Sequence, residues 1–217
     1  MDDVFDLPEE EKLSMSFLKI PCRRGYEEQG MSHRVGDPLP DAKECFFIGQ
    51  EDVAVEAAGF FGPNVWPSLP DSSFRTPAWE HYQKTRDLGK TIWTILIEGL
   101  GQPASLVDTF SKRPVVHMKM ICYPPHSTAR EGQLGIGAHT DLGGVTILAQ
   151  QPGKRRPGSK ARRQTGLDRS PGPRRRVRYS LWRYDSTVVG WRVQERETSR
   201  YQQDAGQEAE LCDVLAW

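Results

Sequence analysis

The stretch "GIGAHTDLGGVTILAQ", residues 135–150, places a histidine and an aspartate two positions apart, between a glycine-rich approach and an apolar run. Val145, Ile147 and Ala149 recur at alternate positions, which predicts a strand beginning just after the pair. On a strand or its bulged end, side chains at i and i+2 point the same way. His139 and Asp141 would then converge on one point. An imidazole and a carboxylate so placed are two-thirds of a 2-His-1-carboxylate facial triad, which holds non-haem Fe(II) and leaves positions open for substrates. Taken alone, an H-x-D is more often a turn aspartate beside a surface histidine.

Upstream, "PVVHMKMICYPP" sets Val116, Met118, Met120 and Cys122 on one face of a second predicted strand. Before it, "TPAWEHYQKTRDLGKTIWTILIEGLG" is the clearest helix. Thr76 is placed to cap it, Pro77 suits its first turn, and Gly99 and Gly101 end it. Its apolar stripe runs through Tyr82, Leu88, Ile92, Ile95 and Leu96, and Trp79 and Trp93 read as core residues. "DLPEEEKLSM" predicts a short helix with acids in its first turn, and "CFFIG" a short strand. "GFFGPNVWPSLPDSSFRTP" reads as a wrapped loop. Residues 1–112 are therefore expected to be mostly helix and loop, with strands beginning near Pro114. His33, His81, His117 and His126 read as ordinary structural or surface histidines.

The chain has 217 residues, enough for one domain with its own core, and a formal net charge of zero. Cys22, Cys45, Cys122 and Cys212 form no C-x-x-C pair, so neither a zinc site nor a disulfide framework is indicated. There is no apolar run of about 18 residues, and "MDDVFDLPEEEK" has neither signal- nor transit-peptide character. A soluble, monomeric, cytoplasmic protein without a membrane partner is the expectation.

Charge is unevenly spread. Residues 1–150 carry 14 Lys+Arg against 21 Asp+Glu, and residues 151–217 carry 15 against 8. Those last 67 residues lack Phe, Ile, Met, Asn and His altogether, so the chain changes character at Gln151. Residues 151–176 have the Arg/Pro/Gly-rich, apolar-poor composition of disorder.

In order, "DLPEEEK", "RGYEEQG", "KECFFIG", "GPNVWP", "YPP" and "GIGAHTDLGGVTIL" make residues 1–152 resemble the 2-oxoglutarate- and Fe(II)-dependent dioxygenases of the isopenicillin N synthase-like group, particularly their fungal members. The resemblance implies an α+β chain: a partial double-stranded β-helix (jelly-roll) core, a helical N-terminal region, and a poorly ordered C-terminal third. The corresponding division is 1–112, 113–152 and a basic tail, 153–217. His139 and Asp141 match the family's first two iron ligands. Tyr123 matches a tyrosine that contacts the co-substrate carboxylate, although a core role is equally open to it. Asn64 and Trp66 resemble loop residues near the substrate pocket, and for Trp66 packing is an equal alternative. The implied cofactors are Fe(II), 2-oxoglutarate and O2, and the implied substrate is a small organic molecule, often of secondary metabolism.

The chain departs from that pattern in four ways. Ile121 stands where many plant members have an asparagine that contacts 2-oxoglutarate. No histidine follows His139, and so no R-x-S follows a second ligand histidine, although bidentate Arg–carboxylate pairing makes such an arginine hard to replace. The front is short for the family. Little turnover is therefore expected of the polypeptide as written. Isopenicillin N synthase uses the same iron site without 2-oxoglutarate, and that alternative stays open here. So does a non-catalytic protein whose basic tail, "GKRRPGSKARR" and "PGPRRRVR", engages nucleic acid or serves as a nuclear address. Against the tail reading, residues 151–176 contain no aromatic residue and follow no DNA-binding fold.

A shifted reading frame accounts for the tail in another way. With permitted codons, "TVVGWRVQERETSRYQQDAGQEA", residues 187–209, read one nucleotide later allows "RWSGGEYKSAKHRVINKTPGKKR". This resembles the family's distal histidine segment, with its histidine where Thr198 stands. The shift also explains the arginine excess and the missing residue types.

Overall fold

The computed structural model describes residues 2–20, 22–33, 36–51, 60–124, 130–137 and 144–150, with the backbone of 159–161, 178–181, 196–198 and 210–216. After a 3-10 turn at Asp2–Val4 come α1 (Glu9–Ser14), β1 (Gly25–Glu27), β2 (Glu44–Gly49), α2 (Arg75–Gly99) and α3 (Ser105–Phe110). Then follow β3 (His117–Tyr123), β4 (Val145–Gln150), β5 (Ser159–Ala161), β6 (Arg178–Leu181), β7 (Arg196–Thr198) and β8 (Glu210–Ala216). Six strands form one sheet in the order β1-β2-β3-β8-β4-β6, and β5 pairs with β7 separately. Every pairing between these strands is antiparallel.

Strands begin earlier than the sequence pattern predicts. β2 is the short strand expected at "CFFIG", whereas β1 lies where loop is expected; both extend the sheet from β3, with Phe46 opposite Met120 and Tyr26 opposite Phe46. A three-residue strand is too short to show a period, which is why "RGYEEQG" reads as loop. Gly25 is required where it stands: its φ is +92°, and a Cβ there would sit 2.1 Å from the carbonyl oxygen of Met15. That oxygen accepts the N–H of Tyr26 at 2.9 Å, tying β1 to the end of α1.

α2 packs on one face of the sheet. Phe46, Ile48, Met118, Met120, Val145 and Ile147 meet Phe74, Ala78 and Tyr82 in the main core. Val116, Met118 and Met120 share a buried face as their alternation requires. Two details of α2 differ from the sequence reading. Its first residue is Arg75 and its N-cap Phe74, so Thr76 and Pro77 lie within the first turn, where an absent N–H leaves no helical bond unmade. Its buried positions are Ala78, Tyr82, Gly89 and Ile97, while Leu88 and Ile95 are 40% and 63% exposed. The stripe is rotated because Trp79 and Trp93 take the flanks of the buried face. Trp79 stacks on Tyr82 at 5.0 Å between ring centroids, and Trp93 meets Phe110 of α3 edge-on. The C-terminus closes as a Schellman motif: Gly101 (φ +72°) donates to Glu98 O, and Gln102 to Ile97 O.

Part of the tail's backbone joins the sheet, and the rest of residues 153–217, expected to be poorly ordered, lies outside the described residues apart from β5 and β7. The backbone of Glu210–Ala216 inserts between β3 and β4, pairing Ile121 with Cys212 and Ile147 with Leu215. β6 pairs with the other edge of β4. β3 and β4 do not pair with each other; the backbone donors and acceptors on their facing sides pair with β8 instead. Among the described residues, no helix is long and apolar enough to cross a membrane.

Candidate metal and co-substrate site

β3 has two faces. Met118 and Met120 point to α2, so Lys119, Ile121 and Tyr123 point away from it. On this second face Cys45, Ile121 and Tyr123 are buried together, with Phe47, Ile136 and Leu148 packed against them. Tyr123 is 6% exposed and stands at the end of β3 that leads into the Pro-Pro loop.

The same face carries charge. Lys119 Nζ lies 3.0 Å from Glu27 Oε2 and 4.7 Å from the centre of the Phe47 ring. Ser32 Oγ donates to Glu27 Oε1 at 2.9 Å. Burial works against the Glu27 charge, but Lys119, the hydrogen bonds from Lys119 and Ser32, and Lys43 outweigh it and hold this carboxyl below the usual range. Burial likewise works against the Lys119 ammonium, and Cys45 and Glu27 more than offset it. The pair is therefore ionised. Burial pushes the Cys45 thiol up to about 12, which keeps it neutral.

A second ion pair lies beside the first. Lys43 and Asp41 side chains are each 2% exposed and bonded to one another. Asp41 Oδ1 also accepts the backbone N–H of Gly137 at 2.9 Å. Alongside it, Ala42 N donates to Leu134 O at 2.7 Å and Gln133 Nε2 to Pro40 O at 3.0 Å. The segment after β1 is thus laced to the segment that approaches the H-x-D pair.

His139 and Asp141 themselves lie outside the described residues. Their flanks do not. Gly137 is held by Asp41, and Gly144 sits against Trp93, where a Cβ would come within 2.2 Å of the indole. β4 begins at Val145, one residue later, where the alternation places it. Among the described residues no group of three His, Cys, Asp or Glu side chains could hold a metal.

Asn64 and Trp66 stand elsewhere. Asn64 accepts the N–H of Gly49 at 2.8 Å through Oδ1 and donates to its carbonyl at 2.9 Å through Nδ2. Gly49 pairs with His117, the opposite end of β3 from Tyr123, roughly 20 Å away along the strand. Trp66 packs on the α2 side, edge-on to Phe74 and Trp79, and its Nε1 donates to Glu51. The structure does not bring these two residues to Tyr123. Beside them lies an arginine that sequence reading passed over. Arg24 is fully buried and donates to Cys22 O and Phe60 O at 2.9 Å each, with Nη1 3.4 Å from His117 Nδ1. Its guanidinium lies over Gly49, whose missing side chain makes the room.

Lys119, Glu27, Asp41 and Lys43 were also not singled out by sequence. For Lys119 a signal existed, since positions 119, 121 and 123 share a face. Asp41 and Lys43 come from an irregular segment, and Glu27 from a three-residue strand too short to show a period.

Residues 1–69 match the family model described as non-haem dioxygenase in morphine synthesis N-terminal. The chain is 57% identical over 151 residues to 2-oxoglutarate-dependent dioxygenase thnC of Trichoderma harzianum, covering 70% of this chain and 47% of that protein. It is 43% identical over 155 residues to 2-oxoglutarate-dependent dioxygenase caaD of Aspergillus niger, again 47% of that protein. The chain thus spans about half the length of the curated relatives it matches. Among solved structures, a 2OG-Fe(II) oxygenase family protein from Caulobacter crescentus superposes with TM-score 0.75 at 19% identity, over 99% of this chain and 69% of that one. A full-length Neurospora crassa protein solved in complex with alpha-KG gives 0.72 at 22% identity, over 98% and 67%.

Proposed function

This chain belongs to the 2-oxoglutarate- and Fe(II)-dependent dioxygenase family, and from that premise we propose that its H-x-D pair and the Tyr123 face form the site of an oxidation of a small organic molecule. The observation that carries the reading is the joining of "GIGAHTDLGG" to β4 at Val145, with Tyr123 buried on the sheet face turned away from α2. The six-stranded antiparallel sheet reads as one half of a jelly roll, with the site on the face turned away from α2.

Imidazole and carboxylate match the donor chemistry of Fe(II) at two positions, and His139 and Asp141 would supply them. Bound Fe(II) with 2-oxoglutarate and O2 supplies an oxidant for an unactivated C–H bond, the oxo-acid leaving as succinate and carbon dioxide. Tyr123 would donate its hydroxyl to the oxo-acid carboxylate. Ile121, 4% exposed, offers that carboxylate no polar contact and leaves an apolar wall beside it. Phe47, Ile136 and Leu148 continue this wall, and Lys119 with Glu27 is the charged group set into it. Such a surface suits a compact, largely apolar substrate with one polar or ionised group, as in secondary metabolism. We place the protein in the cytoplasm, as a monomer.

The chain contains no histidine after His139, and its R-x-S, Arg178-Tyr179-Ser180 of β6, follows no distal ligand histidine. Even the loss of groups outside the ligand shell lowers metal affinity or activity about 10- to 100-fold, so a missing ligand lowers it more. The full chain, given Fe(II), 2-oxoglutarate and ascorbate, is expected to release little succinate. It is expected to bind Co(II) weakly and to lose that binding on His139→Ala. Robust succinate release would mean that another acid, such as Asp168 or Asp185, completes the site. Co(II) binding unaffected by His139→Ala would end the assignment of the pair.

A further inference from the structure

We propose that His117 is the hydrogen-bond donor of a second ligand site, at the end of β3 far from Tyr123, which takes the carboxylate of a small aromatic or apolar molecule. Arg24 beside it is fully buried, and its guanidinium donates to two carbonyl oxygens, Cys22 O and Phe60 O, each at 2.9 Å. Among the described residues no carboxylate pairs with this guanidinium. Arg24 Nη1 also lies 3.4 Å from His117 Nδ1. The other ring nitrogen, His117 Nε2, is shut off from solvent and meets no hydrogen-bond partner in the chain.

The chemistry of the pair fixes where the ring proton sits. A guanidinium has N–H donors and no acceptor, so the imidazole nitrogen that faces it is the acceptor. A proton on Nδ1 would set donor against donor, and a doubly protonated ring would set cation against cation. Burial and Arg24 both hold the ring neutral. The single proton is therefore on Nε2, and the chain gives this donor no acceptor, which a buried N–H rarely lacks. Polarisation by the guanidinium passes through the ring and makes Nε2–H a stronger donor. Beside an unbalanced positive charge, such a donor favours an anionic oxygen over a neutral one. Phe60 stands edge-on to the imidazole at 5.9 Å between ring centroids and is 48% exposed, an apolar surface for the body of the ligand. His117 and Tyr123 lie on the same face of β3 but at its two ends, roughly 20 Å apart. A ligand at His117 is thus separate from the co-substrate, and the proposal does not depend on the metal ligands.

Benzoate is the probe, with benzamide as its neutral counterpart, applied to the full chain carrying isotope-labelled histidine. A proton–nitrogen correlation spectrum reads the tautomer of each imidazole, and His117→Gln identifies the His117 signals. The native ring is expected to carry its proton on Nε2. Benzoate should move the Nε2 resonance to a plateau, and benzamide should need about ten times the concentration. Arg24→Gln removes the charge and should weaken benzoate about tenfold, to the benzamide level. Where that variant does not fold, Phe60→Ala takes its place and should weaken both probes by a similar factor. A proton on Nδ1 overturns the proposal. So does an Nε2 resonance that neither probe moves, the mark of a donor met by water alone, and so does an equal response to the two probes in the native chain. Benzoate binding that neither Arg24→Gln nor Phe60→Ala alters places the carboxylate elsewhere and overturns it as well.

Discussion

His117 carries its imidazole into a buried corner beside a cation, and that setting makes stability depend on pH. Burial and the nearby Arg24 charge push its pKa down from 6.5 to about 4. The neutral ring is therefore favoured by the folded chain, while the unfolded chain takes up a proton near 6.5. Stability from this group is fully present above pH 6.5 and is lost as pH falls through 6.5 toward 4, about 3 kcal/mol in all. Denaturant unfolding at pH 7, 5.5 and 4 should show this loss in the native chain and a flatter profile in His117→Gln. Equal pH slopes for the two would remove His117 as the cause. The sequence places His117 opposite the apolar stripe of β3, but nothing local announces Arg24, which comes from a segment 93 residues earlier.

At the level of elements, the seam between α2 and β4 depends on a glycine. Gly144 has no side chain because the Trp93 indole occupies the space a Cβ would take, with Cζ2 at 2.2 Å and Cη2 at 2.7 Å. Phe110 packs against the same indole at 5.2 Å between centroids, so the ring is not free to move aside. Gly144→Ala should destabilise the chain by about 1–3 kcal/mol in thermal or denaturant unfolding. Adding Trp93→Leu should recover part of that loss. Additive losses in the double variant would show that the two do not meet. This contact also explains why the stripe of α2 differs from the periodic expectation: Leu88 and Ile95 fit a helical period, but the indoles of Trp79 and Trp93 set which side faces the sheet. Side-chain volume, which hydrophobic pattern alone does not weigh, decided the rotation.

Across the whole molecule, the sheet depends on a strand from the atypical tail. β8 lies between β3 and β4, so proline there removes a backbone donor from a central position. Val214→Pro should abolish cooperative unfolding of the full chain, and a variant that still unfolds in one sharp transition would show that β8 does not hold the sheet together. The reading-frame hypothesis belongs to this scale too. The nucleotide sequence around codons 150–156 should contain a one-base offset or misplaced splice boundary that restores a distal histidine and an R-x-S; a closed alternative frame there would falsify it. The family, the paired faces of β3 and the start of β4 were legible in the sequence, because ordered motifs and a two-residue period are local properties of the chain. The sequence also shows, unaided, that no histidine follows His139. The strand character of β1, the insertion of β8, the placement of Asn64 and Trp66 away from Tyr123, and the hydrogen bond from Gly137 to Asp41 emerged only from the tertiary structure. Each joins segments tens of residues apart, and such contacts are selected by the packing and backbone pairing of the whole sheet, which no local pattern encodes.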